Sequence, residues 1–353
     1  MRDIFSMFRF SRNHTYSIGV DMSDEMVKMV QLGDDDEGMS LIAGGSENRP
    51  AHVKPGSGNW QRWAVEALKR LTANGKFRGK GVTATMPASE VFIGHVKVPK
   101  IRERFPNAGK AAWAANALGI HRKGQAEGNE NLQETILSKV RLPFDAKEAV
   151  IKYIPTEEDN VLVLATERKK IDRHLAVYEK ANLQIKSMAV WPVALANSYT
   201  RFFGRRKTDI EAIVMLLELE PNCTNVVICR HQNLLFARSV PIGLRQLGSA
   251  PEPDKKRPAN SNEEMVSKLV QELTACIQHF ASMNRKVQIE RLIFLSGQGG
   301  NRDIFATIAK QLEMPAQVGD CLAAVKIADP QGSGIDRRDC QFSWATAFGL
   351  SLS

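Results

Sequence analysis

The sequence predicts an α/β protein of two lobes that share one architecture. Three observations predict it. A strand–turn–strand–turn–strand unit near the start returns about 200 residues later, a recurrence on the scale of whole domains. In both units the first strand runs into a carboxylate, Asp21 in Ile18-Gly-Val-Asp21 and Glu218 in Leu216-Leu-Glu218. Late in the chain a Gly-rich stretch, Ser296-Gly-Gln-Gly-Gly300, stands between a strand pattern and a helix pattern. The 353 residues suffice for two domains of roughly 100–200 residues each.

The elements follow in order. Tyr16–Met22 is apolar up to Asp21, Ser23–Glu25 is a polar turn, and Met26–Leu32 is a second strand with Lys28 inside it. After a turn at Asp34–Gly38, Met39–Ala43 makes the third strand. Trp63, Val65, Leu68 and Leu71 give Trp60–Ala73 a helical spacing. Gly79–Pro87 and Phe92–Val98 read as strands, Glu103–Leu118 as a helix, and Gln125–Gln133 as a polar loop. Ala149–Tyr153 and Asn160–Ala165 read as a strand pair, followed by a helix at Lys169–Ala181, a strand at Ile185–Ala189 and a helix at Pro192–Phe203. Arg205–Asp209 is a basic, hinge-like join. The opening pattern then returns in Ile213–Leu219, Thr224–Cys229 and Leu234–Val240. Ser249–Asn262, rich in Pro and charge, reads as a mobile loop before a long helix at Glu263–Met283. The strand Arg291–Leu295, the glycine stretch, a helix at Ile304–Leu312 and a closing helix at Phe342–Leu352 complete the chain.

Composition excludes several classes. Aromatic residues make up 7% of the chain, so the cores are aliphatic. The net charge of +9 is spread over Lys97–Arg104, Arg168–Arg173, Arg201–Lys207 and Lys255–Arg257, with acidic runs such as Asp34–Glu37 between. No run interleaves basic and aromatic residues for base stacking, so no nucleic acid is expected as a partner. The five cysteines lack CxxC spacing and sit among apolar neighbours, as reduced buried thiols do. The seven histidines show no HExxH spacing, and no GxSxG is present. No stretch reaches the ~18 apolar residues of a transmembrane helix. Met1–Arg12 reads as an untethered basic tail, Arg201–Lys207 as a solvated helix end, and Trp113 and Trp191 as core residues.

Two matched hairpins with strand-end carboxylates and a late glycine turn resemble the plan of actin, Hsp70 and the sugar kinases, the duplicated ribonuclease H-like (ASKHA) fold. Within it the chain resembles the PilM family, FtsA-like proteins of type IV pilus assembly. The resemblance rests on Ile18-Gly-Val-Asp21 with Val27-Lys-Met-Val-Gln-Leu32, on Leu235-Phe-Ala-Arg-Ser-Val-Pro-Ile-Gly243, on Arg291-Leu-Ile-Phe-Leu-Ser-Gly297, and on Ala345-Thr-Ala-Phe-Gly-Leu350. It runs from about His14 to Leu352 and is loose between these blocks. Type II secretion platform proteins share the architecture, and the sequence does not separate the two. The resemblance implies a first actin-like lobe at 14–204 with an FtsA-type subdomain inserted at 92–153, and a second lobe at 209–353.

The resemblance also implies ATP and Mg²⁺ in a cleft between the hairpins. Asp21, Ser23, Lys28, Glu218, Thr224 and Asn225 would surround the phosphates, and Gly297, Gly299 and Gly300 would receive the adenosine. Asp21 and Glu218 would hold Mg²⁺ through water. The turns depart from the family pattern. Met22-Ser-Asp24-Glu25 replaces a Gly/Ser run, and Glu220-Pro221-Asn222 replaces a Gly-containing turn. Pro221 has no N–H to offer a phosphate. A carboxylate about 4 Å from a phosphate oxygen repels it by roughly 4 kcal/mol at an effective dielectric of 20. Asp24, Glu25 and Glu220 therefore weaken the case for ATP, and the expectation is a degenerate cleft with solvated acidic turns. Asp21, Lys28, Glu218, Thr224 and Asn225 are then relics of the fold, or polar contacts between the lobes.

By resemblance, the chain is a cytoplasmic scaffold, peripheral at the inner membrane. It binds the cytoplasmic tail of a PilN-like membrane protein in a groove between the first lobe and its insertion. The pilus assembly ATPase or platform protein is a further partner. The alternatives are an ATP-binding switch or ATPase of the actin/FtsA type, and a nucleic-acid binder on an actin-like core.

Overall fold

The structure, a computed structural model, describes residues 14–36, 38–99, 101, 134–248, 259–296, 302–327, 335 and 342–353. β1 (His14–Met22), β2 (Met26–Asp35) and β3 (Gly38–Asn48) form an antiparallel meander. The helix α1 (Gly58–Asn74) leads into β4 (Gly81–Thr85), parallel to β1. Ser57 starts α1, its hydroxyl accepting the Trp60 N–H at 3.2 Å. α2 (Arg168–Lys180) precedes β8 (Gln184–Ala189), parallel to β4.

The second half repeats this plan. β9 (Ile213–Leu219), β10 (Thr224–Arg230) and β11 (Asn233–Val240) form a meander, and α5 (Ala259–Met283) leads into β12 (Arg291–Leu295), parallel to β9. α6 (Arg302–Gln311) leads into β13 (Ala316–Gly319), parallel to β12. The sheet orders are β3-β2-β1-β4-β8 and β11-β10-β9-β12-β13, one order used twice. A short β14 (Lys326–Ile327) extends the first sheet beside β3. The expected duplicated two-lobed α/β fold is present.

Among the described residues, period-2 patterning builds three cores of the two lobes beside a smaller one in a third sheet. On β9, Val214 and Leu216 face a central core, while Ile213, Met215, Leu217 and Leu219 face an outer one with α5 and α6. Val27 and Met29 join a second outer core under α1 and α2, whereas Val30 and Leu32 turn to the centre. Two crossed helices fill the centre. α3 (Trp191–Ser198) ends the first half yet packs on β10 and β11, and α7 (Ala345–Ser351) ends the second half yet packs on β1 and β2. Glycines permit this approach. A Cβ at Gly349 would stand 1.8 Å from the Ala194 carbonyl oxygen, and one at Gly19 would stand 2.2 Å from that of Ala347.

β5 (Phe92–Lys97), β6 (Ala149–Pro155) and β7 (Asn160–Glu167) form a small antiparallel sheet, order β5-β7-β6. It draws on residues up to Glu167, beyond the expected 92–153. It touches the second half of the chain at several points. Asn160 Nδ2 donates to the Met283 carbonyl at 3.2 Å, Arg230 pairs with Glu157, and His95 Nε2 accepts the Ala237 N–H at 3.3 Å.

Some expectations change. Where a hinge-like join was expected at Arg205–Asp209, α4 (Lys207–Glu211) forms, and buried Asp209 accepts from the Arg206 N–H at 3.0 Å and from Arg291 at 2.5 Å. α5 begins at Ala259, so the last four residues of the expected loop 249–262 are helical, and 249–258 lie outside the described residues. The helix expected at Pro192–Phe203 is α-helical to Ser198 and then makes a π-helical turn, Tyr199–Phe203. The readings at Met1–Arg12, Glu103–Leu118, Gln125–Gln133 and Trp113 also fall outside the described residues.

Candidate functional site

β1 and β9 are counterparts, and register carries that equivalence to single residues. Asp21 stands opposite Lys28 on β2 and Thr85 on β4. Glu218 stands opposite Asn225 on β10 and Leu295 on β12. Asp21 thus matches Glu218, and Lys28 matches Asn225. The strand ends converge on a cavity of about 600 Å³. Asp21, Ser23, Glu218 and Asn225 line it, as do Asp24, Glu25, Glu220 and the segment Met86–Ile93 apart from Glu90. Glu90 fixes that segment, because its carboxylate pairs with Arg173 and lies 2.9 Å from His174 Nε2 on α2.

Lys28 is 1% exposed. Its ammonium donates to Glu220 Oε1 at 2.8 Å and lies 3.5 Å from Asp21 Oδ2, so it joins the two halves of the fold. Burial opposes its charge, but Glu220, Asp21 and Glu218 hold its pKa above the ordinary lysine range. Burial pushes Asp21 up to about 6 against the pull of Lys28, with Glu218 adding to the rise. Glu220 rises to about 7 for the same reasons, with Asp21 adding to the rise. Glu218 is tied elsewhere. It accepts from Thr346 Oγ1 at 2.8 and 3.0 Å and from Asn225 Nδ2 at 3.3 Å.

A second link lies at the turns. Glu25 Oε1 accepts from Arg49 at 2.7 Å and from Asn222 Nδ2 at 2.8 Å, and Oε2 pairs with Arg245 at 2.8 Å. The expectation of solvated acidic turns is therefore corrected: Glu25 and Glu220 are 9% and 5% exposed. They turn inward because buried cations meet them. Asp24 is also raised by burial, against a hydrogen bond from Ser89.

The expected phosphate donors have other partners. The Ser23 N–H donates to the Met26 carbonyl at 3.0 Å, and the Glu25 and Met26 N–H groups donate to Ser23 Oγ at 3.4 and 3.2 Å. The Glu220 N–H donates to the Cys223 carbonyl at 2.9 Å. Thr224 does not line the cavity, and its hydroxyl donates to the Ile242 carbonyl at 2.7 Å. Of the two carboxylates expected to hold Mg²⁺, Asp21 faces the Lys28 ammonium at 3.5 Å and Glu218 accepts from Thr346 and Asn225. Among the described residues no three His, Cys, Asp or Glu are grouped to hold a metal ion. These residues do not fit a metal-bound triphosphate. Gly297, Gly299 and Gly300 lie outside the described residues. Burial pushes the Cys223 thiol up to about 12, away from the thiolate form.

The sequence reading missed Arg49, Arg245, Asn222, Thr346 and Trp191 as parts of this site. One signal was available: a lysine inside an apolar strand needs a buried counter-charge.

Over 96% of this chain and 98% of the other, the structure superposes on a chain of the "PilM-PilN type IV pilus biogenesis complex", with a TM-score of 0.69 and 16% identity. The chain shares the fold of that pilus protein. Weaker likenesses are the ethanolamine utilization protein EutJ from Carboxydothermus hydrogenoformans (TM-score 0.47, 12% identity, 96% and 89% covered) and the cytoplasmic domain of EpsL, an inner membrane component of the type II secretion system of Vibrio cholerae (TM-score 0.42, 11% identity, 96% and 93% covered). No protein-family model and no curated protein sequence matches the chain. No described helix is long and apolar enough to cross a membrane.

Proposed function

We propose that this chain is a scaffold of a type IV pilus assembly machine, peripheral at the cytoplasmic face of the inner membrane, that binds the cytoplasmic tail of a PilN-like protein. The observation that carries the reading is the near full-length fold match to the PilM-PilN complex. The small sheet supports it locally. β6 is an edge of that sheet among the described strands, so its backbone can pair with an extended peptide. In this reading the nucleotide cleft is degenerate, with Lys28–Glu220 and Glu25–Arg245 holding the lobes without a ligand.

Two titrations test it. Calorimetry with the cytoplasmic tail of a single-span protein encoded beside this one should give micromolar binding, and none at that level refutes the partner. Mg-ATP should bind no tighter than about 1 mM, roughly 4 kcal/mol. Micromolar Mg-ATP binding would install the rival reading, a nucleotide-switched ATPase.

A further inference from the structure

We propose that the inter-lobe cavity is a site for an organic cation, an ammonium or guanidinium on an apolar body, held by Glu220 and Trp191. The first ground is charge. Asp21, Glu218 and Glu220 surround one ammonium, that of Lys28, so the cluster holds more negative than positive groups. The neighbouring acid is already matched, because Glu25 pairs with both Arg49 and Arg245. Arg238, also on the cavity wall, pairs outward with Glu272.

The second ground is two buried polar atoms without hydrogen-bond partners, each on a residue that lines the cavity. Glu220 Oε1 receives Lys28, but Oε2 has no hydrogen-bond partner. Trp191, 2% exposed, has an indole N–H with no acceptor. Both residues line the cavity. A buried carboxylate oxygen calls for a donor, and a buried N–H for an acceptor. An amidinium or guanidinium supplies the donor that Glu220 lacks.

The walls set the rest of the ligand. Met86, Val91, Phe92 and Pro241 offer apolar surface, and aromatic rings are surfaces that attract cations. A volume of about 600 Å³ suits a small ligand or a basic side chain with its neighbours. Phosphates are disfavoured by the same carboxylates. Two sources carry this chemistry, a free small amine and a basic side chain of an apolar peptide. The inference does not depend on the pilus partner.

The test follows indole N–H signals by ¹H–¹⁵N NMR of the full chain. Five tryptophans give five signals, and Trp191→Phe identifies the one that matters. Benzamidine should shift the Trp191 signal saturably, and neutral benzamide of the same shape should bind at least tenfold more weakly. Glu220→Gln should weaken benzamidine at least tenfold with near-UV circular dichroism unchanged. Acetyl-Leu-Arg-Leu-amide binding tenfold tighter than benzamidine assigns the site to a peptide side chain, and no gain assigns it to a free amine. The proposal is overturned if benzamide matches benzamidine, a comparison needing no variant. It is equally overturned if no cationic probe moves Trp191, or if folded Glu220→Gln binds as wild type does.

Discussion

Replacing Lys28 with methionine would keep the apolar stem and remove the one charge that joins Asp21 to Glu220. Taking one partner from a buried ion pair costs about 3–5 kcal/mol, because the charge left behind stays desolvated. Here that charge can be relieved by protons, so the loss must depend on pH. Asp21 and Glu220 stand at about 6 and about 7 in the folded chain, above their unfolded values of 3.8 and 4.5. The folded state therefore binds protons more tightly than the unfolded state. In the wild type their contribution to stability rises as pH falls through about 7 and about 6, and it levels off below the unfolded values. Without the ammonium both carboxyls rise further, so the variant's window moves to higher pH. Urea unfolding followed by circular dichroism should show a loss of about 3–5 kcal/mol at pH 8. At pH 5 it should shrink to about 1–2 kcal/mol, the cost of the missing hydrogen bonds. An equal loss at both values, or a loss under about 1 kcal/mol at pH 8, would refute the assignment of Lys28 as the counter-ion of this cluster.

Three other outcomes are expected. Thr346→Val removes the hydroxyl that donates to Glu218 at 2.8 Å and should cost about 1–3 kcal/mol in urea unfolding, with Thr346→Ser restoring most of it. Gly349→Ala would press a methyl into the Ala194 carbonyl at 1.8 Å and should cost about 3 kcal/mol, seen as a lowered denaturation midpoint with an unchanged slope. Burial opposes the charge on Glu90, but His174 and Arg173 hold its pKa below the usual carboxylate value. Its contribution is present above the unfolded pKa and is lost as pH falls through the folded one. Glu90→Gln should therefore flatten the acid limb of a stability–pH profile, and an unchanged limb would remove Glu90 as the anchor of the segment at the cavity mouth.

The fold was legible because its signals are periodic and local. Ile213–Leu219 is a seven-residue apolar run carrying Glu218 and stopped by the turn at Glu220–Asn222, the length and boundary of a strand buried on both faces. The glycine in Ile18-Gly-Val-Asp21 is where α7 crosses β1, which explains why the closing block Ala345–Leu350 and the opening strand both carried the resemblance. What escaped was short or nonlocal. β13 has four residues, the first three of them exposed, and β14 has two, too few for any pattern to register. Arg205–Asp209 looked like a loose basic join because the partner that buries Asp209, Arg291, stands 82 positions away.

The burial of the acidic turns was not legible for a physical reason of the same kind. Acidic turns look solvated whenever their counter-charges are distant in sequence, and Glu25 meets Arg245 across the two halves of the chain. The two copies of the hairpin differ at this point. Lys28 and Asn225 occupy the same place in two copies of one hairpin, opposite Asp21 and Glu218. In the second copy a neutral amide donates to its carboxylate at 3.3 Å. In the first a lysine reaches past its own carboxylate to Glu220 in the other half. An amide leaves a carboxylate charged and available, whereas an ammonium does the work of a bound cation with a group the chain already carries. At that register position the lysine joins the two halves by an internal ion pair, Lys28–Glu220. Placing asparagine there, Lys28→Asn, should undo the junction. The variant's cleft should open in solution scattering at pH 8 and close again as Asp21 and Glu220 take up protons, while a scattering profile that ignores pH would show that the crossed helices and the other contacts between the halves, Glu25–Arg245 among them, hold the lobes without Lys28.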